Sequence, residues 1–586
     1  MFLRKSTNKK TGRTYLSIVH NYRDKDSQST RPKLIRSIGY VDELVDQYPD
    51  PIAHFSLEAK RLEEERKKET AMISLSLRMN EVLPLNSNHV KNFGYTAFSQ
   101  IYHELGIHTF FTNRQRHTKE QYDADTLMKL LVYGRLLCPS SKKKTFELRE
   151  KFFEKTAYSL DDIYRFLTFA AKRKDALLRW LHNQIQIKYG RDTSLVYYDV
   201  TNFYFEIDGP DGYLPPTKEH PHDRIPDEFR KNGVCKEHRP NPIVQMGLFV
   251  DRNGLPITYG LFPGNTNDCL TYRPNLRQIK ADFGIERTIV VADKGMSTGD
   301  NIWYTLSAKD GYVFSMSVRG ATKEIKDYVL NQANYTWLGK EYKRKSRRSP
   351  RSIWVTRNDG GKMKKIVHEK QVVFYSEKYS LKAKADRAKA IAKAQRLIAN
   401  PSAFNRITSY GCAQYIKNLA FDKESGEILE TDQLLSLDDG VIREQEQYDG
   451  YYLIVTSEME ETDDHIIEMY RGLWKIEDAF RVTKSDLEGR PMFVSREDHI
   501  EAHFLTCFVA LLIVRLLQMR TEHKYSVACM LESLGNANAM YISENHYLFG
   551  YFDQCLADIG AVLGIDFSKK YRTLGDIKKI IAQTKK

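Results

Sequence analysis

Between residues 195 and 318 the chain runs strand, hairpin, helix, strand, helix, strand, and this order limits the fold more than any other feature. Apolar runs of strand length occur at 195–205, 243–250, 255–262, 288–292 and 312–318. The turn Asp251-Arg252-Asn253-Gly254 joins the second and third as a hairpin. Helices are predicted over 272–283 and 298–309, on either side of the fourth run. One mixed sheet with helices on its faces satisfies that order, an α/β layer fold.

The flanking segments read differently. Residues 1–70 are predicted to hold a basic β-hairpin, 14–20 with 33–39, and a charged connector helix at 57–68. Residues 71–190 have a helical pattern. Asp125-Thr126-Leu127 opens one helix, Pro139-Ser140-Ser141 breaks it, and Ser159-Leu160-Asp161-Asp162 caps the next. Such a domain is either a duplex-DNA binder or a plain helical bundle. The α/β core occupies 191–319 and resumes at 448–496, with a strand at 451–456 and a long helix at 463–484. Between them, 320–447 is predicted to be an inserted α+β domain, with a basic loop at 340–351, a strand at 371–375 and an Ala/Lys helix at 381–398. Residues 497–586 are predicted helical.

Charge points to a partner. The chain of 586 residues carries a formal charge of +14. Its bases are clumped: residues 1–36 hold ten Lys/Arg against two acids, and residues 340–351 hold seven bases against one acid. That distribution favours a polyanion, nucleic acid before membrane. Seven scattered cysteines without a CxxC indicate buried thiols in a reducing compartment. The N-terminal MFLRKSTNKKTGRTYLS has no apolar signal segment. The longest apolar stretch, 504–514, stops at Arg515, short of the about 20 residues a membrane span needs. A soluble cytoplasmic protein is expected. No GxxxxGK[ST] is present, so ATP use is not indicated. His220, His222, Cys235 and His238 are too loosely spaced to argue for zinc.

Three acids stand out. Asp199 lies inside the apolar VYYDVTNFYF, Asp293 ends the run IVVAD, and Glu477 follows Leu473 and Trp474 and precedes Phe480 on what reads as the apolar side of a helix. A carboxylate stranded in such a setting costs on the order of several kcal/mol. Each alone has a bland reading: a core Asp satisfied by backbone, a turn former, an ion pair. Together they suggest a cage for a hard divalent cation. Tyr470, Glu477 and Lys484 recur every seven residues, close to two helical turns, and so share one face.

This pattern resembles the DDE transposases of bacterial insertion sequences, of the insertion-sequence-four type. In that group the glutamate sits in a Tyr-x2-Arg-x3-Glu-x6-Lys signature, here Tyr470, Glu477 and Lys484. Leu473 stands where the signature has Arg, with Arg471 and Arg481 as candidates to take over its phosphate contact. DVTNFYF at Asp199, GNTND at 264–268 and ADKG at Asp293 are similar to the family, and WKIEDAFRVTKSDLEGRPMFVSREDHIEAHF resembles the subgroup with a large insert before the glutamate.

The resemblance implies a ribonuclease-H-like core, Asp199, Asp293 and Glu477 as catalytic ligands, and two Mg²⁺ ions that Mn²⁺ can replace. It implies cleavage at terminal inverted repeats and transfer to target DNA, by a homodimer in the synaptic complex, at the nucleoid. Tyr470 and Lys484 would hold a phosphate beside the scissile bond. Trp474 would either stack on an extruded base or pack in the core. Lys236, His238 and Arg239, and the basic group Lys343, Arg344, Lys345, Arg347 and Arg348, are the other expected DNA contacts. A transposase-derived DNA binder without activity, and a nuclease that cuts without joining, are the alternatives.

Overall fold

The structure is a computed structural model. It describes residues 1–586 except 10, 24–29, 69–79, 81, 86, 207–228, 236–238, 406–407, 422–426 and 430–433, and for 22–23, 30 and 64–68 it describes backbone only. His220, His222, Lys236 and His238 therefore lie outside the described residues. Two compact units are present, Met1–Leu85 and Asn86–Lys586.

In the first unit, β1 (Phe2–Thr7), β2 (Thr14–Arg23) and β3 (Thr30–Tyr40) form an antiparallel meander, with Phe2 opposite Val19 and Tyr15 opposite Tyr40. The expected hairpin thus gains a third strand. Leu16, Ile18 and Val19 of the central strand are buried. The helix Pro51–Lys68 starts earlier than the charge pattern suggested, and buries Phe55 and Ala59.

The second unit opens with β4 (Val90–Asn92) and then packs short helices, among them Tyr95–Glu104, Ala124–Leu137, Leu160–Ala171 and Lys174–Tyr189. Leu160 follows the expected cap at Ser159, and Ala124 starts its helix one residue before the expected Asp125. Asp123 accepts from the Thr126 amide, and Ser159 with Asp162 forms a capping box.

The α/β core follows as β5 (Leu195–Tyr204), β6 (Ile243–Asp251), β7 (Pro256–Pro263), β8 (Ile289–Ala292) and β9 (Gly311–Met316). Next come β10 (Thr336–Trp337), β11 (Tyr342–Thr356), β12 (Lys362–Ser376), a small ribbon of β13 (Ile416–Lys417) and β14 (Ser436–Leu437), and β15 (Tyr451–Thr456). One nine-stranded sheet has the order β10-β11-β12-β15-β9-β8-β5-β6-β7. Strands β5, β8 and β9 are parallel neighbours, while β6, β7, β15, β12 and β11 join antiparallel.

The expected inserted domain is corrected by this order. Its strands β10–β12 extend the core sheet, and the basic stretch 340–351 is a strand rather than a loop. The helix Glu377–Ala399 leads from that extension to a small core around Ala394, Leu397, Cys412, Tyr415 and Ile416.

The C-terminal region is also more than helical. Strands β16 (Asn538–Ser543), β17 (His546–Phe549) and β18 (Tyr571–Thr573) form a four-stranded sheet with β4. The helix Glu497–Arg520 is long and apolar enough to cross a membrane, and it is buried in the protein. It packs against Ala124–Leu137 and Leu160–Ala171.

Candidate active site

Sheet register brings the two aspartates together. Tyr198 on β5 pairs with Ala292 on the parallel β8, so Asp199, midway along β5, and Asp293, just past the end of β8, follow as neighbours on adjacent strands. Adjacent strands lie about 4.8 Å apart, and Asp293 keeps an extended backbone, φ −76° and ψ 170°. Side chains alternate between faces: Val196, Tyr198, Val200, Val290 and Ala292 join one hydrophobic cluster, Tyr197, Phe203 and Val291 the other. Asp199 and Asp293 fall on the second face.

That is the face on which the glutamate's helix packs, through Leu473, Ile476, Ala479 and Phe480. The expected continuous helix is broken. Asp463–Arg471 ends at Gly472, Trp474–Arg481 follows, and Val482–Asp486 is a π-helical turn carrying Lys484. Gly472 has a packing reason, because a Cβ there would lie 2.0 Å from the Tyr197 hydroxyl.

None of the three acids is stranded in the core, contrary to expectation. Asp199 and Asp293 are half-buried and Glu477 is exposed. Trp474 is 59% exposed, which removes the core reading of that side chain. Both residues lie on the solvent side of a helix whose opposite side is buried. Leu473, at the signature arginine's position, is buried, so this site points toward the sheet.

Asp293 is held by neighbours. Ser315 on β9 donates to its Oδ1 at 2.8 Å, and the Tyr470 hydroxyl stands 3.5 Å from the same oxygen. Burial pushes the Tyr470 phenol above its usual range, and the charges of Asp293 and Glu477 add to this. Tyr452 is raised likewise, first by burial and then by Tyr379 and Asp293. Asp199 Oδ1 accepts from the Val200 amide at 2.7 Å. Ser315 escaped the sequence reading; its only signal is a polar residue at an inward position of the run YVFSMSV.

Among the described residues, no three His, Cys, Asp or Glu stand close enough together to hold a metal ion. The side-by-side pair is Asp199 and Asp293, with Glu477 on the helix above the same face.

The basic candidates divide. Lys484 lies 5.5 Å over the Phe203 ring and Arg239 4.4 Å over Tyr204, both beside the C-terminal half of β5. Arg471 is exposed, 5.5 Å from the Tyr342 ring. Arg481 is bonded within its own helix end, to Asp478 at 2.9 Å and Asp486 at 3.0 Å. Lys343 and Lys345 are buried, the first over Tyr335 and Trp337, the second over Tyr328 and Tyr335. Arg344 pairs with Asp464, and Arg347 with Gln371 at 2.8 Å and Glu324 at 3.2 Å. Arg348 is exposed and pairs with Glu460 at 3.0 Å. The basic strand is thus largely engaged inside the protein.

Sequence comparison decides the family. The transposase DDE domain matches residues 213–513, just over half of the chain, and the N-terminal domain of the IS1634 family of transposases matches residues 3–72. The chain belongs to the DDE transposases of insertion sequences. It is a DNA-cleaving, strand-transferring enzyme. The domain match contains Asp293 and Glu477 and begins after Asp199.

Among solved structures, the Mos1 transposase paired-end complex with left transposon end is similar at 12% identity over 46% of this transposase and 70% of that chain, with a TM-score of 0.14. The Mos1 mariner paired end complex with Mn is 15% identical over 32% and 58% of the two chains, with a TM-score of 0.13. Scores this low add nothing to the family assignment. No curated protein sequence matches the chain.

Proposed function

We propose that this transposase cuts at the terminal inverted repeats of its own element and joins the freed ends to target DNA, with Asp199, Asp293 and Glu477 as the catalytic acids. The carrying observation is the register that sets Asp199 beside Asp293 on adjacent parallel strands. The strand order β7-β6-β5-β8-β9, with β6 antiparallel, supports a ribonuclease-H-like core.

The donors fit a divalent cation. They are hard carboxylate oxygens reached from solvent, and both hydroxyls that approach Asp293 go to Oδ1, which leaves Oδ2 for a ligand. Glu477, exposed above the same face, is the group that would complete the set. A bound Mg²⁺ or Mn²⁺ would activate the attacking oxygen and stabilise the leaving oxygen of an in-line displacement at phosphorus.

The chain's own residues supply the rest. Ser315 and Tyr470 fix the Asp293 carboxylate. Lys484, Arg239 and Arg471 offer cations to the DNA backbone, and Trp474 an exposed ring to an unpaired base. Water attacks the phosphodiester at the element end and the 3′-oxygen departs as a hydroxyl. That hydroxyl then attacks a target phosphodiester and displaces a target 3′-oxygen. Joining two ends in one event calls for at least a homodimer on DNA, in the cytoplasm where the chromosome lies.

The test is cleavage of element-end DNA with Mg²⁺ by Asp199→Asn, Asp293→Asn and Glu477→Gln. Each is expected to bind DNA and fail to cut. Cutting by any one at the wild-type rate removes that acid from the catalytic set.

A further inference from the structure

Beyond the acids, two buried cations of the second unit line one cleft with no ion pair to an acid among the described residues. Arg135 and Lys142 are 6% and 5% exposed and line a small cleft with Glu488, Arg490, Phe493 and His503. Arg135 directs Nη1 at the carbonyl oxygens of Leu487, 3.2 Å, and Glu488, 3.0 Å, and Nη2 at that of Ser140, 3.0 Å. These acceptors are neutral, and Arg135 Nε is buried without a partner.

Lys142 Nζ lies 3.5 Å from His503 Nδ1, whose Nε2 faces the Gly489 carbonyl at 3.0 Å. Burial, then the charges of Lys142 and Arg135, hold His503 well below its usual range, so the ring is neutral and Nδ1 accepts from the ammonium. Burial, then Arg135, pushes Lys142 down to about 7. Glu488 is exposed at the mouth. The described residues provide no counter-charge here, and an anion arriving from outside would hold Lys142 protonated.

We infer that this cleft seats one backbone phosphate of the DNA strand that enters the active site, held by Lys142 and Arg135. The placement supports a strand rather than a free anion. The Met492 amide donates to the Tyr204 carbonyl at 3.2 Å, which ties segment 487–494 to the end of β5. Asp199 lies five residues back along that strand, about 17 Å at the usual rise. The phosphate would then be several nucleotides from the scissile one. The inference rests on the transposase reading and adds to it a subsite built by the helical region.

The experiment compares wild type, Lys142→Met and Lys142→Arg in full-length protein binding element-end duplex over a salt series, alongside thermal melting. The methionine variant is expected to melt at the wild-type temperature or higher, because it removes an uncompensated charge, and to bind about tenfold more weakly. Its slope of log K against log salt should fall by about 0.9, the loss of one phosphate contact. Lys142→Arg should restore the slope. Single methylphosphonate substitutions should locate one position that weakens wild type and leaves Lys142→Met unaffected. Unchanged affinity and slope in Lys142→Met overturn the subsite, as does a loss of affinity that merely follows a loss of melting temperature. If wild type cuts element ends in that case, the transposase reading stands without it; if wild type does not bind them at all, both fall.

Discussion

Gly472 lies against Tyr197 so closely that a Cβ would sit 2.0 Å from the phenol oxygen and 2.6 Å from Cζ. This contact sets the glutamate's helix directly on β5, one turn before Glu477. Tyr197 is buried and cannot swing away. Gly472→Ala should therefore lift the helix and cost about 1–3 kcal/mol, the usual penalty of overpacking. DNA cleavage should fall by more than the fraction unfolded. Chemical denaturation and single-turnover cleavage check this, and wild-type behaviour in both would refute the contact.

Ser315→Ala removes the hydroxyl that donates to Asp293 Oδ1. The substitution leaves the strand intact, so the melting temperature should change little. Cleavage should drop about tenfold while affinity for element ends is kept, since a net hydrogen bond to a charged group is worth about 1.5–3 kcal/mol. A cleavage rate equal to wild type would show that Asp293 needs no such anchor.

Glu369 is fully buried and takes a bidentate pair from Arg351, Nε to Oε1 at 2.8 Å and Nη2 to Oε2 at 2.9 Å, with Tyr312 and Gln371 as further donors. Arg351→Met strands the carboxylate and should cost about 3–5 kcal/mol. The double variant Arg351→Met with Glu369→Gln should recover part of it. Urea unfolding decides; no recovery would mean that the arginine acts by packing alone.

Acid should destabilise the second unit. Burial pushes the imidazoles of His103 and His182 down to about 3 and about 4. Both lie below the 6.5 of an unfolded histidine, so between those values the unfolded chain binds the extra protons. Their stability contribution is whole above pH 6.5 and is lost as pH falls, on the order of 1.4 kcal/mol per group and pH unit. Urea midpoints at pH 7 and 5 measure it, and His103→Gln should reduce the difference by about half, with His182 supplying the rest. A higher midpoint at pH 5 would contradict this.

Most of the core was legible because burial imposes a pattern. The runs around Val196, Val244, Ile257, Val290 and Val313 each became a strand within a residue or two of the expected ends. β11 was hidden because its inward positions, Lys343 and Lys345, are cations covered by tyrosine rings, which reads as a solvated loop. The aspartates were visible as words in the chain, yet their adjacency is a matter of register between strands some ninety residues apart. Glu477 was misjudged for a simpler reason. With Trp474 a turn away it looks apolar-facing, while Leu473, Ile476, Ala479 and Phe480 already fill the buried side.

Strand β15 separates β12 from β9, and neither of those pairs with the other. It comes last of the nine along the chain, so until Thr456 is made the strands on its two sides have no partner to join them. Closing the gap and delivering Glu477 then take place within a few dozen codons. Catalytic competence is thereby tied to the completion of the scaffold, and a chain stopped short of Tyr451 would carry both aspartates on a sheet that never knits.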